Sequence, residues 1–213
     1  MINFIVQGGW VLWVIMALSV VACIIVVERL IYLRRISVDE DKLFQRVKAS
    51  LIEGHYNEAL AICDNNLSPF SSLLKTGIEN RKQPETVQRD ILKDAAALEA
   101  PKLERGLSTL GTISTIAPLL GLLGTVTGTM KAFGVLGKFG AVSDPSALAN
   151  GVSEALITTV GGIIVAVPVI IFYNFLVSRV NQILSMLENR VNMLVLLINA
   201  GNGASKGGET EES

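Results

Sequence analysis

The sequence predicts an all-α membrane protein with three transmembrane helices, two of them long and extended into the cytoplasm, and a helical cytoplasmic insert. Three observations predict it. Half of the 213 residues are hydrophobic, only 17% are charged and the mean hydropathy is +0.51, which is too apolar for an ordinary soluble domain. Three segments are uncharged over lengths that match a hydrocarbon core of ~30 Å, which takes about 20 helical residues. None of the three shows the short alternation of a membrane barrel, so each is expected to satisfy its own backbone groups as a helix.

The first span runs from the N-terminus to Val27 around "WVLWVIMALSVVACIIVV". It lacks a basic leading region and its apolar run exceeds the ~7–15 residues of a signal peptide, so it is expected to stay as a membrane helix. With the basic flank through Ile36 it forms the unit 1–36. Residues 37–105 form the cytoplasmic insert, read as four helices. Ser37 or Asp39 caps the first toward Glu53, and "GHYNEALAICDNN" is a short amphipathic second with the flavour of a tetratricopeptide half-repeat. Ser68 and Pro69 are the cap and first position of the third. Pro84 opens the fourth, which is expected to run without a loop into the second span, with Pro101 as a place to kink.

The second span occupies 106–135, with its uncharged core from Gly106 to Met130, and a short periplasmic loop fills 136–144. Asp144 and Pro145 read as the cap and first position of the third span, 145–178, whose uncharged run is Ala155 to Ser178. A cytoplasmic helix covers 179–200, where Ile183, Leu187, Val191, Leu194 and Ile198 make a stripe. That stripe is either an oligomer seam or a face for this chain's own cytoplasmic helices. The Gly-rich polar tail, 201–213, has nothing to bury and is expected to be disordered.

Charge sets the orientation, because Lys and Arg stay on the cytoplasmic side. None precedes the first span, whereas Arg29, Arg34 and Arg35 follow it and ten more lie from there to Arg105. Only Lys131 and Lys138 flank the loop between spans two and three; Arg179 and Arg190 follow span three. The expected layout is N-terminus outside and C-terminus inside, with Trp10 and Trp13 at the outer interface and Tyr32 at the inner one. The near-neutral net charge of −1 gives no sign of a nucleic-acid partner. Cys23 and Cys63 fall in different solvents in this layout, which argues against a disulfide or thiolate metal site. No phosphate loop or metal-ligand spacing is present, and the single histidine, His55, lies in a turn beside Gly54, so the chain reads as no enzyme and needs no cofactor or metal.

Glu154 is the only charged side chain in the third span, 145–178, and the apolar cores of the other two, the first as far as Val27 and the second from Gly106 to Met130, carry none. A charged group at the bilayer centre costs on the order of 2.5–3.5 kcal/mol on insertion scales, so one that is kept there is a functional candidate. The duller reading is an interfacial glutamate at a helix start. Thr158 and Thr159 follow it at four and five residues, with Gly161 and Gly162 a turn further, making a hydroxyl-bearing stripe. On span two, Gly111, Thr115, Pro118, Leu122, Thr125 and Thr129 recur at spacings of three and four. Any one membrane threonine more often bonds its own i−4 carbonyl than a ligand. Gly121, Gly124 and Gly128 read as close-packing positions. Desolvation favours the neutral form of a carboxyl group, and neighbouring hydroxyls and water can relay protons. Glu154 is therefore expected to cycle between protonated and ionised states. Without a second acid, a histidine or a membrane-depth cation the relay is incomplete, so other copies or a partner must complete it.

"APLLGLLGTVTGTMKAF" (117–133) and "SEALITTVGGIIVAVPVIIFYN" (153–174) resemble the two signature helices of the MotA/TolQ/ExbB proton channel family, most of all its ExbB and TolQ members. The order of parts agrees over roughly 8–197. The resemblance implies a homopentamer in the bacterial inner membrane around an ExbD/TolR-like single-span partner whose membrane aspartate supplies the second acid. A TonB-like protein lies further along that chain of partners. It implies that proton flow turns the pentamer to deliver work to the outer membrane or cell wall. Carried over by position, Glu154, Thr125, Thr159 and neighbouring Thr158 form the proton pathway, and Pro118 and Pro168 match prolines of the two helices. The layout has no fourth span, which departs from MotA and weakens a flagellar role. The short chain and "SEALITT" favour the ExbB branch over a TolQ-type or gliding-type one. Two other classes stay open: a passive scaffold in which Glu154 pairs with a partner's cation, and a self-sufficient cation channel.

Overall fold

The computed structural model describes residues 9–36, 40–66, 68–139 and 145–208. The expected caps Ser37, Asp39 and Asp144 and the last residues of the tail, 209–213, lie outside the described residues. Every regular element is an α-helix: α1 (Gly9–Ile36), α2 (Glu40–Ile52), α3 (Tyr56–Asp64), α4 (Pro69–Glu79), α5 (Glu85–Glu104), α6 (Leu107–Phe139) and α7 (Pro145–Gly208). Three of the described helical stretches are long and apolar enough to cross a membrane, containing α1, α6 and the first half of α7. This is a multi-pass membrane protein. The chain divides into two compact units, one of 1–29 with 106–177 and one of 30–105 with 178–213.

The first unit holds α1 as far as Arg29, α6, and α7 as far as Val177. Its helices bury small residues at steps of three or four: Ala117, Gly121, Gly124, Gly128 and Ala132 on α6, and Gly151, Ala155, Thr158, Gly162 and Ala166 on α7. Large apolar side chains such as Leu119, Leu123, Leu156, Ile164 and Ile171 point outward instead. That inversion is what a lipid solvent calls for, since lipid tails give leucine no reason to hide and small residues let backbones approach. Gly161 meets Leu12 of α1, and Gly106, just before α6, meets Ile25. Hence α1 runs alongside α7, and the start of α1 lies at the same end of this unit as the α6–α7 turn.

The second unit packs like a soluble domain. Leu43, Phe44, Val47 and Leu51 of α2, Phe70, Leu73 and Leu74 of α4, and Leu92 of α5 form one buried core with Leu187, Val191 and Leu194 of α7. This decides the stripe on α7: it lies on the chain's own helices, with Ile183 against the same core and Ile198 meeting Gly77. Arg190 adds its guanidinium over the rings of Phe44 and Phe70, at 5.7 and 5.2 Å. Ser68 caps α4, its hydroxyl accepting from the Ser71 amide at 3.1 Å, with Pro69 next, as the sequence predicts.

Two expectations are corrected. The fourth insert helix does not run unbroken into the second span: α5 stops at Glu104, Arg105 turns to φ −51, ψ 129, and Gly106 takes φ +79 before α6 begins. Only glycine enters that left-handed region without a steric cost, so Gly106 sets the break, while Pro101 stays inside α5. In the tail, helix α7 continues to Gly208 rather than ending near Ala200.

Two outcomes follow for the second unit. Phe70 is fully buried, so Phe70→Ala should cost about 3–5 kcal/mol, read as a lower thermal midpoint of the purified chain. Burial pushes the Cys63 thiol from 9.0 to about 11, with a Ser71 hydrogen bond opposing it. A thiol raised that far has about a hundredfold less thiolate near pH 8, so alkylation of Cys63 in the folded chain should be at least about a hundredfold slower than after denaturation.

Candidate functional site

The α6–α7 seam fixes everything around Glu154. A Cβ added at Gly162 would lie 2.6 Å from the Ala117 carbonyl, one at Gly121 would lie 3.1 Å from Thr159 Cα, and one at Gly128 would lie 2.8 Å from the Gly151 carbonyl. Residue pairs 117 with 162, 121 with 159 and 128 with 151 run antiparallel, so the two helices form a hairpin with backbones in contact. At Gly124 the missing side chain makes a notch filled by Thr158, which is 1% exposed. Farther along, Gly111 leaves room for the Tyr173 ring.

At 1.5 Å rise per residue, Lys131 lies about 12 Å along α6 from Phe139 and Glu154 about 13 Å along α7 from Pro145. They meet at that common height. Lys131 Nζ stands 2.6 Å from Glu154 Oε1, with the lysine side chain 57% exposed and the glutamate 19%. Glu154 also lies against Gly9, the first residue of α1, which has φ +63; any Cβ there would fall on the carboxylate. One acidic group thus joins all three helices of the unit.

The threonines expected beside it direct their hydroxyls to backbone carbonyls. Thr158 Oγ1 donates to the carbonyls of Ala155 at 2.9 Å and Glu154 at 3.2 Å. Thr159 Oγ1 donates across the seam to the Gly121 carbonyl at 3.1 Å, a direct α7-to-α6 bond. Thr125 Oγ1 donates to the Leu122 carbonyl at 2.6 Å. Their protons are committed to backbone, and among the described residues none donates to the Glu154 carboxylate. Their oxygens keep lone pairs that can accept. Gly121, Gly124 and Gly128 line the seam, and Pro118 and Pro168 sit within α6 and α7.

Lys131 is the residue that sequence reasoning missed as a partner for Glu154. The uncharged core of the second span ends at Met130, so Lys131 reads there only as a flank of the loop. The signal lies in the hairpin itself, since residues 131 and 154 are nearly equidistant from its turn, and antiparallel helices bring such positions to one level.

A profile of the MotA/TolQ/ExbB proton channel family matches residues 65–189. An ExbB homolog from Methanothermobacter thermautotrophicus is 34% identical over 85% of this chain and 64% of its own length. An ExbB-like protein from Synechocystis is 33% identical over 83% of this chain and 70% of its own length. The biopolymer transport protein ExbB of Xanthomonas campestris is 42% identical over 49% of this chain and 40% of its own length. The chain therefore spans less than two thirds of the first of these relatives.

The seam makes a sharp forecast. Gly124→Ala puts a methyl on the Thr158 hydroxyl and should destabilise the chain in detergent by about 1–3 kcal/mol. Adding Thr158→Ala should recover much of the lost thermal midpoint; no recovery would mean that the helices are not seated at this notch.

Proposed function

The chain belongs to the MotA/TolQ/ExbB proton channel family, and from that premise we propose that it is a proton-channel subunit of an ExbB-like energy-transducing motor in the bacterial inner membrane. In this reading the N-terminus is periplasmic and the C-terminus cytoplasmic, as the basic residues favour. Five copies surround an ExbD/TolR-like single-span partner with a membrane aspartate, and a TonB-like protein carries the work onward. The chain performs no covalent catalysis. The observation that carries the reading is Glu154, an acid largely removed from solvent at the point where α1, α6 and α7 meet.

A group so placed turns a proton into a mechanical signal, since its charge decides which contacts three helices make. The available energy is adequate: one charge crossing the field is worth about 2.3 kcal/mol per 100 mV, enough to bias a conformational step by a factor of tens. Thr125 and Thr159 support the path through their free lone pairs, and Thr158 through its place next to the acid. Coupling to the partner's acid would complete a two-carboxylate relay.

The Lys131 pair favours a second reading, the scaffold, with the cation supplied by the chain itself. Glu154 would then be a staple between helices. Exchanging Glu154 for Gln, which keeps shape and loses charge, separates the two. The motor reading expects energy-dependent work in the native host to fall to background while the complex still purifies with its partner. A scaffold expects assembly to fail first, and intact work in Glu154→Gln would end the motor assignment.

A further inference from the structure

Glu154 and Lys131 are the only acid and the only base in the stretches 107–134 of α6 and 146–178 of α7. They are joined at 2.6 Å. The charges that face the carboxylate can be taken element by element. Among the described side chains, α6 contributes Lys131. From α1 comes the Gly9 backbone, and the described part of α1 carries no charge before Glu28. On α7 itself the neighbouring Thr158 hydroxyl donates to the Glu154 carbonyl and not to its carboxylate. Among the described residues, one ammonium bonds this acid and one glycine backbone lies against it, and both belong to other helices.

Protonation acts on that arrangement directly. An ionised carboxylate gives the lysine a charge-assisted bond, whereas the neutral acid offers only an uncharged acceptor and a hydroxyl for which ammonium has no lone pair. An ammonium left without a counter-charge in apolar surroundings is disfavoured. Lys131 has a way out, because its side chain is already more than half exposed and its flexible stem can carry the charge toward water. The acid, in turn, loses what pins it over Gly9.

We infer that Lys131, Glu154 and Gly9 form a proton-released clasp: closed while Glu154 is ionised, open when it takes a proton, and so governing whether the start of α1 is tied to α6 and α7. This rests on the proposed role of Glu154 as the proton carrier and adds to it a positioning residue, Lys131, and a hinge point, Gly9. Gly9 suits the task because its positive φ and bare Cα let the carboxylate touch backbone.

The test is backbone hydrogen exchange of the full chain in lipid nanodiscs. The regions read are the start of α1 and residues 128–134 and 150–156. Glu154→Gln and Lys131→Met should each raise exchange there by about tenfold, and the double variant no more than either single one. Lys131→Arg should keep the wild-type protection. Glu154→Gln, a neutral stand-in for the protonated acid, should give the same exchange pattern as Lys131→Met. Multiplying effects in the double variant, or equal loss in the Arg and Met variants, would overturn the clasp. These exchange rates do not depend on whether Glu154→Gln abolishes work in the host, which decides the proposed function.

Discussion

The contact of two backbones along the α6–α7 seam is the constraint on which the membrane unit depends. Gly121, Gly124, Gly128, Gly151 and Gly162 have no side chain to hold the helices apart, and the positions facing them would be struck by any Cβ. In lipid no hydrophobic drive pushes helices together, so close van der Waals contact and a few polar bonds must do it. Thr159 contributes one such bond, reaching the Gly121 carbonyl across the seam. The register it helps set brings residue 131 level with residue 154, and the ion pair follows from the packing.

Electrostatics then explains why this pair is tolerated where charge is expensive. Each partner alone would cost on the order of 2.5–3.5 kcal/mol at the bilayer centre, while together they present no net charge to the apolar surroundings. The same physics makes the pair conditional: neutralising one partner leaves the other exposed to the cost. A structural staple and a proton-operated contact are thus built from identical atoms, and what distinguishes them is whether a proton can reach Glu154.

Much of this was legible in the sequence, and the remainder was hidden for physical reasons. Long apolar runs identified the three spans because composition alone dictates helices in lipid. Ser68-Pro69 identified a helix start because both residues act locally. The α7 stripe could only be narrowed to two partners, since a helical face records that it is covered but not by what; Leu187, Val191 and Leu194 turn out to pack on this chain's own insert. Lys131 escaped because the uncharged core of the second span ends at Met130, and a pairing between helices is invisible to periodicity within one. Spacing puts threonines on one helical face, but hydroxyl direction depends on the nearest free carbonyl, which on a helix is usually its own. Gly106 passed as one more small residue, although its left-handed backbone is what separates α5 from α6.

Proton uptake by Glu154 itself is open to direct observation. Infrared difference spectra of the full chain in lipid, recorded on acidification with and without the Glu154→Gln substitution, would show whether this carboxyl gains a proton while the chain stays folded. A protonated-carboxyl band present in wild type and missing from Glu154→Gln is the expected result. Identical spectra from the two proteins would contradict it, leaving Glu154 a fixed charge and the seam a scaffold.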